Sequence, residues 1–398
     1  MKKLLAGAAI SALTATSAFG MGHGAPVTIG VILGFTGPIE SLTPDMAAGA
    51  ELAVAEANAS GNFLMGKEIL TERADSTCVD ASAATAAAER LITASEVVAI
   101  MGADCSGVTT AVANNVAIPN GVVMVSPSAT SPALSEIDDN GLFFRTAPSD
   151  ARQGQVIAEI LGERGVTDIA VTYTNNDYGK GLADAFEAAF TAAGGSVSIT
   201  AAHEDGKGDY SAEVGALSAA GSDTLAVFGY VDQGGRGIIQ SSLDSGAFDT
   251  FVLGDGMIGD SLTEALGSDI DGTYGTAPGA TGDAFTFFDA MAKANGIEGD
   301  GPYRGESYDA AALIILAMQA GGEATREAVA QNLLNVANAP GVPIGPGQLG
   351  VALQLLEAGV NINYQGATGV ELIGPGEAAG AYIEYEVIGG VLTPIGNR

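Results

Sequence analysis

The sequence predicts an α/β protein of two doubly wound units, and three observations carry that expectation. From Val27 onward, short β-branched apolar runs alternate with longer stretches of helical period, the order of a parallel sheet covered by helices. The alternation pauses near Pro148 and restarts at Asp168. The chain has 398 residues, which at roughly 100 to 200 residues per domain suggests two units.

Met1-Lys-Lys3, the apolar small-residue stretch 4–18 and Ala18-Phe-Gly20 have the charged, apolar and cleavage regions of a secretory signal, so residues 1–20 are expected to be removed on export. The apolar part is shorter than the ~20 residues that span a bilayer, and no cysteine adjoins the cleavage site to carry a lipid. Val27-Thr-Ile-Gly-Val-Ile-Leu33 then reads as a strand buried on both faces. Thr43 followed by Pro44 suggests the cap and first turn of a helix that Gly61 stops. Further strands are expected at 68–74, 97–101, 122–125 and 142–146, with Asp80 capping a helix over 81–91. Ser149-Asp150 starts the helix that opens the second unit, whose strands are expected at 168–173, 196–201, 224–228 and 250–253. Helices over 283–295, 307–320 and 325–336 have no strands of their own and should pack back onto an existing sheet. The tail is Pro/Gly-rich over 341–350, and residues 381–388 alternate like a strand with one wet face.

Lys and Arg number 15 against 47 Asp and Glu, a formal charge of -32 that no basic cluster offsets, so nucleic acid and anionic membrane surfaces are poor partners. No later segment is apolar enough to enter a membrane. The absence of Trp argues against sugar binding by ring stacking. An exported chain with two cysteines allows one pairing, Cys78 with Cys105, and each follows an expected strand. Such a bond closes a loop of about 27 residues, contributes roughly 3 kcal/mol and holds Ser106 in place.

Two neighbouring strands end in hydroxyl-rich turns: Met101-Gly-Ala-Asp-Cys-Ser-Gly107 and Ser126-Pro-Ser-Ala-Thr-Ser131. At the carboxyl ends of parallel strands, such turns present N–H groups and hydroxyls to a small anion such as a carboxylate, although ordinary polar turns have the same composition. Facing them, Tyr178, Tyr230 and Asp255 each follow a strand of the second unit, and Asp255 would meet the ammonium of a zwitterion. Other motifs carry less. Gly259-Asp-Ser-Leu262 resembles an esterase nucleophile block, but both histidines, His23 and His203, precede the serine, which leaves a helix start capped by Asp260 or Ser261. Gly30 to Gly37 lacks the phosphate-loop Lys and Ser/Thr, and neither the acids at 269–271 nor any His/Cys cluster has metal-ligand spacing, so no metal and no cofactor is expected.

Six blocks then occur in order: Thr36-Gly-Pro38, Gly49-Ala-Glu-Leu-Ala53, Ser126-Pro-Ser-Ala-Thr130, Phe144-Arg-Thr-Ala-Pro148, Tyr178-Gly-Lys-Gly-Leu-Ala183 and Tyr308-Asp-Ala310. With them the chain resembles the periplasmic leucine/isoleucine/valine-binding proteins of ABC importers over nearly its whole mature length. The resemblance implies a type I periplasmic binding fold, two α/β lobes joined by a three-segment hinge. Lobe one would comprise 26–147 and 277–368, and lobe two 148–276 and 369–398, with crossings near Pro148, Gly275 and 366–376. It implies carboxylate and backbone contacts from Ser106, Ser128 and Thr130, ammonium-side contacts from Tyr178, Tyr230 and Asp255, and an aromatic, Tyr303, beside the side-chain pocket. Cys105, Asp104, Ala129 and Leu42 complete the implied binding residues, and Cys78–Cys105 matches the family's disulfide. Asp255 stands where a Glu is usual and Leu42 where leucine-type binders have an aromatic. Asp104 lies in the carboxylate turn itself, so either it faces solvent or the ligand carries extra positive charge or donors. The implied function is that of a monomeric, non-enzymatic periplasmic receptor that hands a small aliphatic amino acid to a membrane permease. Receptors for amides or aromatic acids share the family, and a serine esterase is the reading from another class.

Overall fold

The computed structural model describes residues 25–398, so the expected signal lies outside the described residues. The first unit opens with β1 (Val27–Leu33), β2 (Ile69–Asp75), β3 (Ala99–Gly102), β4 (Val123–Ser126) and β5 (Phe143–Arg145). The second contributes β6 (Asp168–Thr174), β7 (Ser196–His203), β8 (Thr224–Phe228), β9 (Thr250–Leu253) and β10 (Tyr274–Pro278). The remainder adds β11 (Val342–Ile344), β12 (Ile362–Tyr364), β13 (Leu372–Ile373), β14 (Glu377–Ala378), β15 (Tyr382–Ile388) and β16 (Val391–Asn397). Two seven-stranded sheets result, ordered β13-β14-β5-β4-β3-β1-β2 and β16-β15-β10-β9-β8-β6-β7, with β11 and β12 as a separate pair.

The first five strands of each unit are parallel, and the strand order reverses between β1 and β3 and again between β6 and β8. Ligand crevices of doubly wound sheets lie outside the carboxyl ends of strands at such reversals. The turn carrying Ser106 follows β3, and Tyr178 and Tyr230 follow β6 and β8, so each stands at the switch point of its own sheet, with Asp255 one strand further out after β9. Burial fits the β-branched composition: Ile29, Ile32 and Leu33 of β1 and Leu225 to Phe228 of β8 have no exposed surface.

The three expected late helices pack back onto the first unit as Asp283–Ala294, which sets Phe288 against Tyr308, Arg304–Gly321 and Arg326–Ala337. Helix Arg304–Gly321 is buried over nearly its whole length against helix Thr43–Ser60. A side chain at Gly49 would lie 2.5 Å from the Arg304 carbonyl, so glycine sets how closely these helices approach. Two caps differ from expectation. Leu42, not Thr43, occupies the N-cap, and the Thr43 hydroxyl instead donates to Gly34 O at 3.1 Å. Gly259 precedes helix Asp260–Leu266, and neither Asp260 nor Ser261 caps it.

Chain crossings depart from the expected boundaries. β10 stays paired in the second sheet through Pro278, and β13 and β14 extend the first sheet, so residues 372–378 belong with the first unit. The crossings therefore lie at 146–149, at Gly279 and at 379–381. A Cβ on Gly380 would meet Pro148 at 2.5 Å and one on Gly279 would meet Ile383 at 2.8 Å, while the Tyr382 hydroxyl donates to Ser149 O at 3.2 Å. The three segments thus run side by side as one hinge, with glycines where they touch. Among the described residues no helix is long and apolar enough to cross a membrane.

Candidate functional site

The two hydroxyl-rich turns are cross-linked to each other. β3 and β4 are adjacent, and Ser126 Oγ donates to Ala103 O at 2.5 Å while accepting from Ala129 N at 2.9 Å. Ser128 Oγ donates to Asp104 O at 3.1 Å, and Ser106 Oγ accepts from Ser131 N at 3.1 Å. Gly102 (φ 123°) is required before this turn, because a Cβ there would fall 2.1 Å from Ile32 O. The Cys78–Cys105 disulfide joins the loop after β2 to the residue preceding Ser106.

Asp104 neither faces solvent nor projects freely inward. It is buried, with one oxygen accepting from Gly34 N at 2.6 Å and the other from the Ser76 hydroxyl at 3.0 Å. Burial raises its pKa, and these bonds pull it partway back.

Across the cleft, Asn176 Oδ1 accepts from Gly179 N at 3.0 Å at the start of helix Asp177–Ala192 and so fixes Tyr178 in the first turn. The Tyr178 hydroxyl donates to Asp255 Oδ1 at 2.7 Å and accepts from Gly256 N at 3.0 Å. Tyr230 stacks on Tyr178 with ring centroids 5.3 Å apart. Tyr303, held in the left-handed region at φ 69° just before helix Arg304–Gly321, sends its hydroxyl to Asp255 Oδ2. Its hydroxyl therefore meets the Asp255 carboxylate, and the residue also lines the cavity.

Ile39, Leu42, Asp104, Cys105, Ser106, Ser128 and Tyr303 from the first unit surround a small cavity together with Tyr178, Tyr230, Asp255 and Gly256. Ala129 and Thr130 are fully buried but do not line it. They serve the turn from behind: Ala129 O accepts from Arg145, and Thr130 O accepts from Asp150 N at 2.8 Å.

Sequence reasoning missed two groups. Arg145, 1% exposed, donates through Nη1 to Ala129 O and Ser131 O, both at 2.9 Å, and through Nη2 to Ser135 Oγ and Glu377 Oε2. It ties the second turn to β14. A cation in the apolar run Phe143-Phe-Arg145 is the signal that marks it. Asp150 is fully buried beside the first crossing, and neither carboxylate oxygen has a hydrogen-bond partner. Burial, followed by the nearby charge of Asp255, holds its pKa well above the ordinary range, with Arg145 pulling the other way. Behind a serine cap, an aspartate is an ordinary helix opener, so nothing local singled it out. Burial also raises Asp255, offset in part by its two tyrosine donors.

The esterase constellation does not assemble. Ser261 pairs with Asp232 and Ser41, whereas His203 is buried against the Thr172 hydroxyl at 2.9 Å. Among the described residues no group of acids, histidines or cysteines has the arrangement of a metal site.

A family model described as periplasmic binding protein matches residues 26–352. The chain is 34% identical over 250 residues to Leu/Ile/Val-binding protein homolog 3 of Brucella melitensis, covering 61% of this chain and 64% of that one, just under two thirds of the relative's length. It is 33% identical over 265 residues to Leu/Ile/Val-binding protein BraC3 of Rhizobium johnstonii, covering 65% of this chain and 69% of that one. Among solved structures, the leucine binding protein LivK of Thermotoga maritima has the same fold at TM-score 0.78 and 23% identity, covering 93% of this chain and 98% of that one. Members of this family are substrate-binding proteins. With both sheets, their switch points and the chain crossings arranged as a type I periplasmic binding fold, the protein belongs to the periplasmic binding protein family.

Proposed function

We propose that this protein is a periplasmic, non-enzymatic receptor that closes two lobes around a small aliphatic amino acid, branched-chain amino acids first, and delivers it as a monomer to the permease of an ABC importer. Lobe one comprises the first sheet, residues 26–147 and 280–378, and lobe two the second sheet, residues 148–278 and 382–398. The observation that carries this reading is the cleft between the lobes, with the Ser106 and Ser128 hydroxyls on one wall, beside an Asp104 carboxylate already held by Gly34 and Ser76, and the buried Asp255 carboxylate on the other. Ser106 and the N–H groups of the turns take the ligand carboxylate, and Ser128, which lines the same wall, joins them by turning its hydroxyl from Asp104 O to the ligand. Asp255, oriented by Tyr178 and Tyr303, takes the ammonium, and Ile39, Leu42 and Tyr230 cover the side chain.

An ammonium is the natural counter-charge here. Asp255 and Asp150 are both buried, and a cation delivered between the lobes lowers the free energy of their ionised forms. An aromatic acid brings no such cation and would leave both carboxylates uncompensated, which is why the amino acid is preferred over that alternative. Neither lobe satisfies both ends of a zwitterion, so the ligand stabilises the closed form. Turning an open population of about 99% into a closed one of about 99% takes ~5.5 kcal/mol of differential affinity. The test is mass spectrometry of solute released by denaturing protein purified from the periplasm, together with small-angle scattering on adding that solute. A released aliphatic amino acid and a smaller radius of gyration at constant monomer mass support the reading; a released aromatic acid or an unchanged radius refutes it.

A further inference from the structure

The lobes are also joined by a set of bonds that touch no ligand position. Asp232 in lobe two follows Tyr230 by two residues, and its backbone N–H donates to Pro38 O of lobe one at 3.0 Å. One carboxylate oxygen accepts from Ser41 N at 2.8 Å, and the other accepts from the Ser261 hydroxyl at 2.7 Å. The hydroxyls of Ser41 and Ser261 lie 3.2 Å apart, completing a ring across the cleft mouth. Arg236 Nη2 donates to Asp232 O at 2.9 Å and steadies the residue within its own lobe. Beside the ring, a Cβ on Gly259 would lie 2.8 Å from Leu42 Cδ2, so glycine permits the closest approach of lobe two to a cavity-lining side chain.

We infer that Asp232, with Ser41 and Ser261, is a positioning latch: it grips the loop over 38–42 and seats Ile39 and Leu42 over the bound solute, setting how long the closed state lasts. Each bond to loop 38–42 spans the two lobes, so separation breaks them together. Asp232 and Ser261 are half-buried and Ser41 is exposed, and each group finds water when the lobes part. The latch therefore adds little to the stability of either lobe and acts on the equilibrium between them. It also gives Gly259-Asp-Ser-Leu262 a role, for the serine that resembles an esterase nucleophile is a bridging donor whose carboxylate partner belongs to its own lobe.

The inference rests on lobes that close, as proposed above, but not on which solute closes them. The test uses the full chain with its native disulfide and the pair Ser41→Cys and Ser261→Cys, whose crosslinking under a mild oxidant reports closure. The rate is measured with and without L-leucine, in this parent and after adding Asp232→Ala. The expected result is that Asp232→Ala slows crosslinking about ten-fold, the worth of the one interlobe bond its carboxylate makes to Ser41 N, while the urea midpoint stays at the parent value. An unchanged crosslinking rate, or a lowered urea midpoint showing that Asp232 supports the fold itself, overturns the latch. Slower crosslinking in Asp232→Ala with no response to L-leucine keeps the latch and refutes leucine as the solute. In the otherwise native chain, Asp232→Ala should speed release of L-leucine with its association rate unchanged, and slower association at an unchanged release rate overturns the inference.

Discussion

The two walls of the cavity are built on opposite principles. On the lobe-one wall nearly every polar group already has a partner: Asp104 is held by Gly34 and Ser76, Ser126 and Ser128 bond the neighbouring turn, and Arg145 gathers two carbonyls from behind. Toward lobe two, Asp255 relies on two tyrosine hydroxyls, and neither oxygen of Asp150 beside the hinge has a hydrogen-bond partner, though the Arg145 charge acts on it. Buried hydrogen-bonded donors cost little to keep in place, whereas buried carboxylates without a cation are costly. On the proposed reading, the first wall is a rigid mould for an anion, and the second holds an imbalance, buried acids whose ionised forms stay costly until a cationic ligand arrives. A receptor gains from this division because empty closure leaves the imbalance in place and closure on the right solute removes it.

Breaking the mould should have the largest effect. Arg145→Met removes the cation behind the turn, leaving Glu377 with the Ser135 hydroxyl but no counter-charge and Ala129 O without the guanidinium, so unfolding by urea should show a loss of about 3 to 5 kcal/mol. Opening the disulfide with Cys78→Ser and Cys105→Ser together should cost roughly 3 kcal/mol in the same assay, and thiol labelling of denatured, non-reduced native protein should find no free cysteine.

A pH series tests burial next to the site. Glu306 follows Tyr303 by three residues, and burial raises its pKa to about 8. Because the folded value exceeds the ordinary one, the native state binds the extra proton. Its contribution is full below about pH 4.5 and is lost as pH rises through about 8. Glu306→Gln should therefore remove roughly 2 to 3 kcal/mol of the stability that the native protein loses between pH 5 and 8. Parallel stability curves for the two proteins would show that Glu306 is ionised in the fold. The charged wall gives the smallest single-residue effect, because Asp150 remains when Asp255 is removed. Asp255→Ala should weaken an amino acid by about 1.5 to 3 kcal/mol, roughly ten- to a hundred-fold by calorimetry, with little change in unfolding.

The same contrast explains how much was legible in the sequence. Strands buried on both faces announce themselves, so β1, β8 and the switch-point loops were readable, and with them Ser106, Ser128, Tyr178, Tyr230 and Asp255. β10 was not, because Tyr274-Gly-Thr-Ala-Pro278 has the composition of a turn. Gly275 is there because a side chain would strike Leu253 O at 2.5 Å, a constraint set by a distant strand. β16 was missed for another reason: it is an exposed edge strand with Pro394 next to its own bulge at Ile395, reached through the Gly389-Gly390 turn. Arg145 behind the wall and Asp232 at the cleft mouth take their meaning from partners up to 232 positions away along the chain, and Asp150 from burial that only the assembled lobes impose. Local pattern holds no trace of such pairings.

The central claim is that one wall recognises the carboxylate and the other the ammonium of the same small solute. Calorimetry with L-leucine and with 4-methylpentanoic acid, which keeps the carboxylate and the side chain but lacks the ammonium, tests it directly. The account predicts that the amino acid binds and that the deaminated acid binds at least about a hundred-fold more weakly, the worth of a charge-assisted contact together with the buried carboxylates left uncompensated. Equal affinity for the two would contradict it.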